Sequence, residues 1–339
     1  MEFSDFRSDT LTMPTMSMRA AMHDAVLGDD VYGEDPTVNR LEAMVAERLG
    51  KEASIWLPSG TQANLVALLT HCQRGDEYIV GQAAHCYRYE GGGAAVCGGI
   101  QPQPLSLRDD GTFDLEEVEA AVKPDDYHFA RTRLVCLENT HAGMPLAVDY
   151  LAEARLLCDR LGLALHVDGA RLCNAAVARH VDVSLLAKPC DSLTLCLSKG
   201  LGAPAGSMLA GARSFIDEAR RWRKMLGGGM RQVGMLAAAG IHALQHHVER
   251  LADDHQRAAY LASELALFPE LHVDRQRVLT NMVFCSPGVD LMSQYQEYLL
   301  QYGIRVGGYG ALRFVTHLDV GDHDVERLVA ATRDFFASR

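Results

Sequence analysis

The chain has 339 residues, of which 48% are hydrophobic and 22% charged, a soluble globular composition long enough for one large core and a smaller one. A formal net charge of −12, with no Lys/Arg block to offset it, argues against nucleic acid and anionic membrane as partners and leaves small molecules. Nine cysteines, odd in number and without a C-x-x-C pair, argue against a disulfide framework or structural zinc and for a reducing cytoplasm.

In chain order, the N-terminus MEFSDFRSDT is acidic where a signal peptide would be basic and then apolar, and no apolar run approaches ~18 residues. A cytoplasmic protein without a membrane span is expected. Ala53 to Leu57 reads as a strand, PSG as a turn and TQANLVALLTHC as a helix. Ser59, Gly60 and Thr61 therefore stand between strand and helix, where N–H groups, hydroxyls and the helix dipole can hold a phosphate. An ordinary N-cap is the plainer alternative.

Further strands centre on Glu77 to Val80, Arg133 to Leu137, Leu163 to Val167 and Leu193 to Leu197. Between them, DYLAEARLLCDRLG sets Leu151, Ala154, Leu157, Cys158 and Leu161 on one helical face, with Gly162 placed to end the helix. Such strand–helix alternation feeds a single sheet and makes the class α/β. From about residue 245 the texture changes to a helical stretch ending near Leu267, short strands including LRFVTHL, and a last helix DHDVERLVAATRDFFA. The expected division is a large domain over 1–244, including the N-terminal segment, and a small one over 245–339.

In open sheets of this kind the ligand lies beyond the carboxyl ends of the strands. Asp168 closes the strand LALHV, and Ser198 and Lys199 close LTLCLSK. A lysine at a buried strand end is either paired or loses its proton, and the neutral amine is a nucleophile. Gly200, Gly202, Ala203 and Ala205 leave room beside it for something flat. A surface lysine at a strand–loop junction is the alternative. The Asp168 carboxylate can keep a pyridine nitrogen protonated, or it can simply pair with Arg171.

Other chemistries are poorly supported. GLGAPAG is GxGxxxG, contains Pro204 and precedes a strand-like run, unlike a dinucleotide loop. P-loop, HExxH and G-x-S-x-G motifs do not occur. His242 and His246 have i, i+4 spacing without an acidic or cysteine partner, so a solvated helix face is expected there and no metal.

The stretches RSDTLT, GDDVYGEDPTVNRLE, LPSGTQANLVALL, AAHCYRYEGGGAAV, KPDDYHFARTRLVCLENTH, LHVDGARL, CLSKGLGAPAGS, RWRKMLGGGMRQ and RFVTHLD occur in order over nearly the whole chain. Together they closely resemble the low-specificity L-threonine aldolases. The resemblance implies the PLP-dependent transferase fold type I: a mostly parallel seven-stranded sheet sandwiched by helices, with a smaller α+β C-terminal domain. It also implies the cofactor pyridoxal 5'-phosphate (PLP) and retro-aldol cleavage of L-threonine, L-allo-threonine and related β-hydroxy-α-amino acids to glycine and an aldehyde.

By the same resemblance Lys199 carries the covalent link to the cofactor and Asp168 meets its ring nitrogen. Ser59, Gly60, Thr61 and Ser198 belong to the cofactor's surroundings, His85 stacks on its ring, and Lys224 lies nearby. Arg231 reaches the phosphate of a neighbouring subunit's cofactor, which implies a dimer with shared active sites, paired into a tetramer. Arg171 and Arg313 clamp the substrate carboxylate, with Ser8 assisting and Tyr32 and Tyr89 around the pocket. The base for the β-hydroxyl proton is His85, or a water ordered by His85, His128 and Glu90. In THAGMP, Ala142 and Met144 depart from the family's usual Asn-Gly-Lys. A β-eliminating lyase or amino-acid racemase would share the lysine and the aspartate, and a non-catalytic cofactor-binding protein would not need His85 or Arg313.

Overall fold

The computed structural model describes residues 3–339. Its strands are β1 (Ser4–Asp5), β2 (Ala53–Leu57), β3 (Asp76–Gly81), β4 (Gln101–Leu105), β5 (Arg131–Glu138), β6 (Ala164–Asp168), β7 (Ser192–Cys196), β8 (Ser207–Gly211), β9 (Met282–Cys285), β10 (Ile304–Arg305) and β11 (Leu312–Val315). Seven of them form one sheet in the order β2-β8-β7-β6-β5-β3-β4. All neighbours are parallel except β8, which runs antiparallel to β2 and β7. Every residue of β2, β7 and β8 is buried. That continuous burial, rather than alternation, marks a sheet covered by helices on both faces.

The strand β4 carries Pro102 and Pro104 and occupies the sheet edge, where a missing N–H breaks no ladder with a further strand. The helix Val148–Leu161 ends on Gly162 at φ 67°, a left-handed stop that glycine adopts without strain. No helix among the described residues is long and apolar enough to cross a membrane.

The main core gathers Trp56, Leu165, Val167 and Leu195 from the sheet with Leu41, Leu151 and Leu244 from the covering helices. A second core joins Val283, Phe314, Tyr295 and Leu328, and it includes Phe6. The N-terminal segment therefore does not stay with the large unit. Its β1 lies parallel to β10, Phe6 N–H donates to the Arg305 carbonyl at 2.8 Å, and the Phe6 carbonyl accepts from Val315 N–H at 2.8 Å. Phe6 needs burial and a two-residue strand needs a neighbour, and only the distant C-terminal third supplies both.

A few residues later the segment returns to the large unit, where Thr12 Oγ1 donates to the Lys199 carbonyl at 2.9 Å. Residues 4–12 thus form a strap across both cores. One close approach sets the site directly. A Cβ at Gly169 would stand 2.1 Å from the Thr194 carbonyl oxygen, so glycine there lets the turn after Asp168 lie against β7.

Candidate active site

A cavity of about 300 Å³ opens at the carboxyl ends of β6 and β7. It is lined by Thr10, Gly60, Thr61, Asn64, His85, Glu90, Asp168, Ala170, Cys196, Ser198, Lys199 and Pro204. Seven sequence-predicted residues, Gly60, Thr61, His85, Glu90, Asp168, Ser198 and Lys199, therefore meet in one place. A larger surface hollow of about 690 Å³ between Met44 and Glu249 brings none of them together.

At one wall the helix Gly60–His71 begins, capped by Ser59, whose hydroxyl accepts from Gln62 N–H at 3.1 Å. The first-turn N–H groups have no partner within the helix. A Cβ at Gly60 would meet nothing within 4 Å, so the space in front of them is open to an anion.

Asp168, 2% exposed, closes β6. Its Oδ1 accepts from Ala170 N–H at 3.0 Å and Thr194 Oγ1 at 3.3 Å, and its Oδ2 accepts from Asn64 Nδ2 at 2.8 Å. Arg171 is not its partner. That guanidinium turns to Asp9, donating from Nε to Oδ2 at 2.8 Å and from a terminal nitrogen to Oδ1 at 2.5 Å.

Asp9 is fully buried, and Asn281 Nδ2 adds a bond at 3.3 Å. Burial works against its charge, but the Arg171 guanidinium outweighs it and holds the carboxyl at about 2. Asp9→Asn would leave a buried guanidinium uncompensated and should lower stability at pH 7 by ~3–5 kcal/mol. Because the native pKa lies below the unfolded value of ~3.9, the contribution is complete above the latter and lost as pH falls through the former. Urea unfolding of both proteins at neutral pH and at about pH 3 should show the gap narrowing; a gap independent of pH rules this account out.

Arg313 stands near this pair. One terminal nitrogen donates to the Arg7 carbonyl at 2.9 Å, while its Nε is buried without a hydrogen-bond partner. Burial first, and then the Arg171 charge, lower its pKa. Among the described residues it makes no ion pair. Tyr89 lies 5.7 Å from His85 and stacks with Tyr309 at 6.3 Å between ring centroids.

His85 begins a short helix, His85–Arg88, its N–H donating to Glu138 Oε2 at 2.6 Å. Its Nδ1 lies 2.8 Å from Glu90 Oε1, and that hydrogen bond raises the imidazole pKa. Burial pushes the Glu90 carboxyl up despite the same bond, and the Asp168 charge adds to the rise. The hydrogen bond joins a basic imidazole to a carboxyl that burial makes easier to protonate.

Ser59, Tyr89, Arg171 and Arg313 are not among the lining residues, and the remaining predicted residues also lie outside the cavity. Ser8 caps the turn Asp9–Leu11, accepting from Thr10 N–H at 3.2 Å. His128 is exposed on a loop and bonded to Asp126 at 2.6 Å. Lys224, Tyr32 and Arg231 are exposed, with Arg231 paired to Asp29 at 2.8 Å and its guanidinium 5.8 Å from the Tyr32 ring centroid. Ala142 adopts φ 47°, a left-handed conformation that asparagine tolerates better than alanine, which suits the family's usual residue there. Sequence reasoning missed Asp9, Asn64 and Tyr309. Asn64 follows Thr61 by one helical turn, a spacing that placed it on the cavity side of the helix.

Residues 5–287 match the beta-eliminating lyase family model. A low-specificity L-threonine aldolase of Escherichia coli K12 is 53% identical over 98% of this chain and 99% of its own length. Low-specificity L-threonine aldolase 1 of Arabidopsis thaliana is 44% identical over 96% and 94%. The structure of a Leishmania major threonine aldolase superposes with a TM-score of 0.85 at 20% identity, covering 98% of this chain and 99% of that one, which shows the shared fold. The chain belongs to the beta-eliminating lyase family, in its low-specificity L-threonine aldolase branch.

Proposed function

We propose that the cavity holds pyridoxal 5'-phosphate and that the chain cleaves L-threonine, L-allo-threonine and related β-hydroxy-α-amino acids to glycine and an aldehyde. One observation carries the reading: Lys199 and Asp168, at the ends of adjacent strands, line one cavity with the open helix start at Gly60. The donor set fits the group. An amine, a buried carboxylate without a cationic partner and a vacant helix N-terminus match an aldehyde, a pyridine nitrogen and a phosphate. Bound there, the cofactor draws electrons from a bond at the substrate's α-carbon.

The chain's own residues do the rest. Asp168 would accept a hydrogen bond from a protonated ring nitrogen, and its bonds from Asn64, Thr194 and Ala170 hold the carboxylate in place. Arg313, which makes no ion pair among the described residues, supplies the positive charge for the substrate carboxylate and so fixes which bond faces the electron sink. His85, backed by Glu90, takes the β-hydroxyl proton. His128 stands too far out on its loop to line the cavity in the single chain.

A second copy of the chain completes this reading. Met13, Met16, Val26, Tyr32, Met225 and Met230 are all exposed large apolar side chains, Tyr32 beside Arg231, and such exposure suits burial in a dimer, itself paired into a tetramer. All nine cysteines are free and eight are buried, which suits a reducing cytoplasm. The test is product analysis from L-threonine and L-allo-threonine, side by side. Glycine with acetaldehyde is expected; ammonia with a 2-oxo acid would make the chain a β-eliminating lyase instead, and epimerised substrate would make it a racemase.

A further inference from the structure

We infer that Asn64 is a positioning residue that ties the His85–Glu90 pair to Asp168, joining the proton acceptor and the ring-nitrogen partner in one hydrogen-bonded unit. The inference rests on the function proposed above. Asn64 Nδ2 stands 2.8 Å from Asp168 Oδ2 and 2.9 Å from Glu90 Oε1, and Glu90 Oε1 stands 2.8 Å from His85 Nδ1. A primary amide carries two N–H donors, so both bonds form at once. With Nδ2 facing the two carboxylates, Asn64 Oδ1 faces Thr194 Oγ1 at 3.4 Å, a hydroxyl whose single proton is shared between it and Asp168 Oδ1.

All of the unit but His85, whose side chain is 47% exposed, is largely shielded from water. Asn64 is 3% exposed and Asp168 2%, and the Glu90 side chain is 5% exposed. Ligand atoms of His85, Glu90 and Asp168 all lie within 4.8 Å of one another, so two carboxylates share a small dry space. Like charges at that separation push a proton onto one of them unless donors intervene. Asn64 supplies one donor to each. It cannot itself take up or release a proton near neutral pH, so it transmits the field without consuming it.

The groups facing Glu90 come from several elements: His85 and Cys86 from their short helix, Tyr78 from β3, Asp168 from β6, and Asn64 from the helix Gly60–His71. Lys199, after β7, acts on the same unit through His85. Of these, Asn64 alone touches both carboxylates by hydrogen bonds.

Asn64→Leu keeps the size and removes both donors. Asn64→Asp changes one atom of the shape and adds a third acid, so it serves where the leucine variant fails to fold. In either, Glu90 loses a donor that favoured its charged form and holds its proton to higher pH. The acid limb of the kcat profile should move up by about one pH unit, further in the aspartate variant. The pH titration of the holoenzyme's visible absorbance should move in the same direction, and the cofactor should dissociate more readily on dialysis.

A purely structural Asn64 would change thermal stability and leave both titrations where they are in wild type. That result, in a folded variant retaining the cofactor, overturns the inference. The absorbance titration needs no turnover. A wild-type protein that binds the cofactor but releases no glycine would defeat the proposed function while leaving Asn64 open to the same test.

Discussion

Lys199→Ala stops glycine release from L-threonine, lowering kcat by more than ~10³-fold, and leaves the purified protein colourless. The expectation comes from position. Lys199 leaves β7 at the carboxyl end of the sheet, half-buried, and Thr12 Oγ1 pins its carbonyl at 2.9 Å. No carboxylate among the described residues pairs with its amine. The next residue, Gly200, carries no side chain to fill the cavity in its place, and Asp168 stays held by its three neighbours. The variant should therefore fold as wild type does and fail in chemistry alone. Initial rates, an absorbance spectrum and borohydride reduction followed by peptide mapping check it. Undiminished turnover, or a label at any other lysine, removes Lys199 from the reaction.

Arg313→Leu should raise KM tenfold to about a hundredfold for substrates that carry a carboxylate and change kcat much less. A charge-assisted hydrogen bond is worth ~1.5–3 kcal/mol, which sets that range. The arginine is half-buried without an ion-pair partner among the described residues: its Nε has no hydrogen-bond acceptor, and the nearby Asp9 is already committed to Arg171. Leucine removes a charge without breaking an ion pair, so the melting temperature should hold or rise. Steady-state kinetics beside a thermal melt separate the two effects. An unchanged KM would leave the clamp to other groups.

These expectations trace back to features that the sequence displays unevenly. The strands β2, β5, β6 and β7 were legible because burial on both faces makes them apolar runs between turn signals. The strand β4 was not, because QPQPL holds two prolines and owes its extended form to its place at the sheet edge. The pairing of β1 with β10 involves two residues at each end of the chain, too little pattern for any local rule.

The site divides along the same line. Lys199 and Asp168 could be read from their own strands, since the fold type dictates what lies beyond a strand's carboxyl end. Asp9 and Asn64 could not, because their roles reside in partners far along the chain: Arg171 for the one, Glu90 and Asp168 for the other. A buried aspartate near a terminus looks like any polar residue until its counterion is known. Family resemblance put His128 at the pocket, yet in the single chain its loop carries it to the surface, where Asp126 holds it.

The strap formed by residues 4–12 bears on how the enzyme comes into being. Its partners are Arg305, Val315 and Asn281 near one end of the chain and Arg171 and Lys199 in the middle. Residues 4–12 must therefore wait for Asn281, Arg305 and Val315 before they can settle. Contacts of such long sequence separation form slowly, because the loop between them is closed at an entropic cost. The catalytic centre is thus completed only once Val315 is present, and a chain stopped short of it would lack the means to hold residues 4–12 in place.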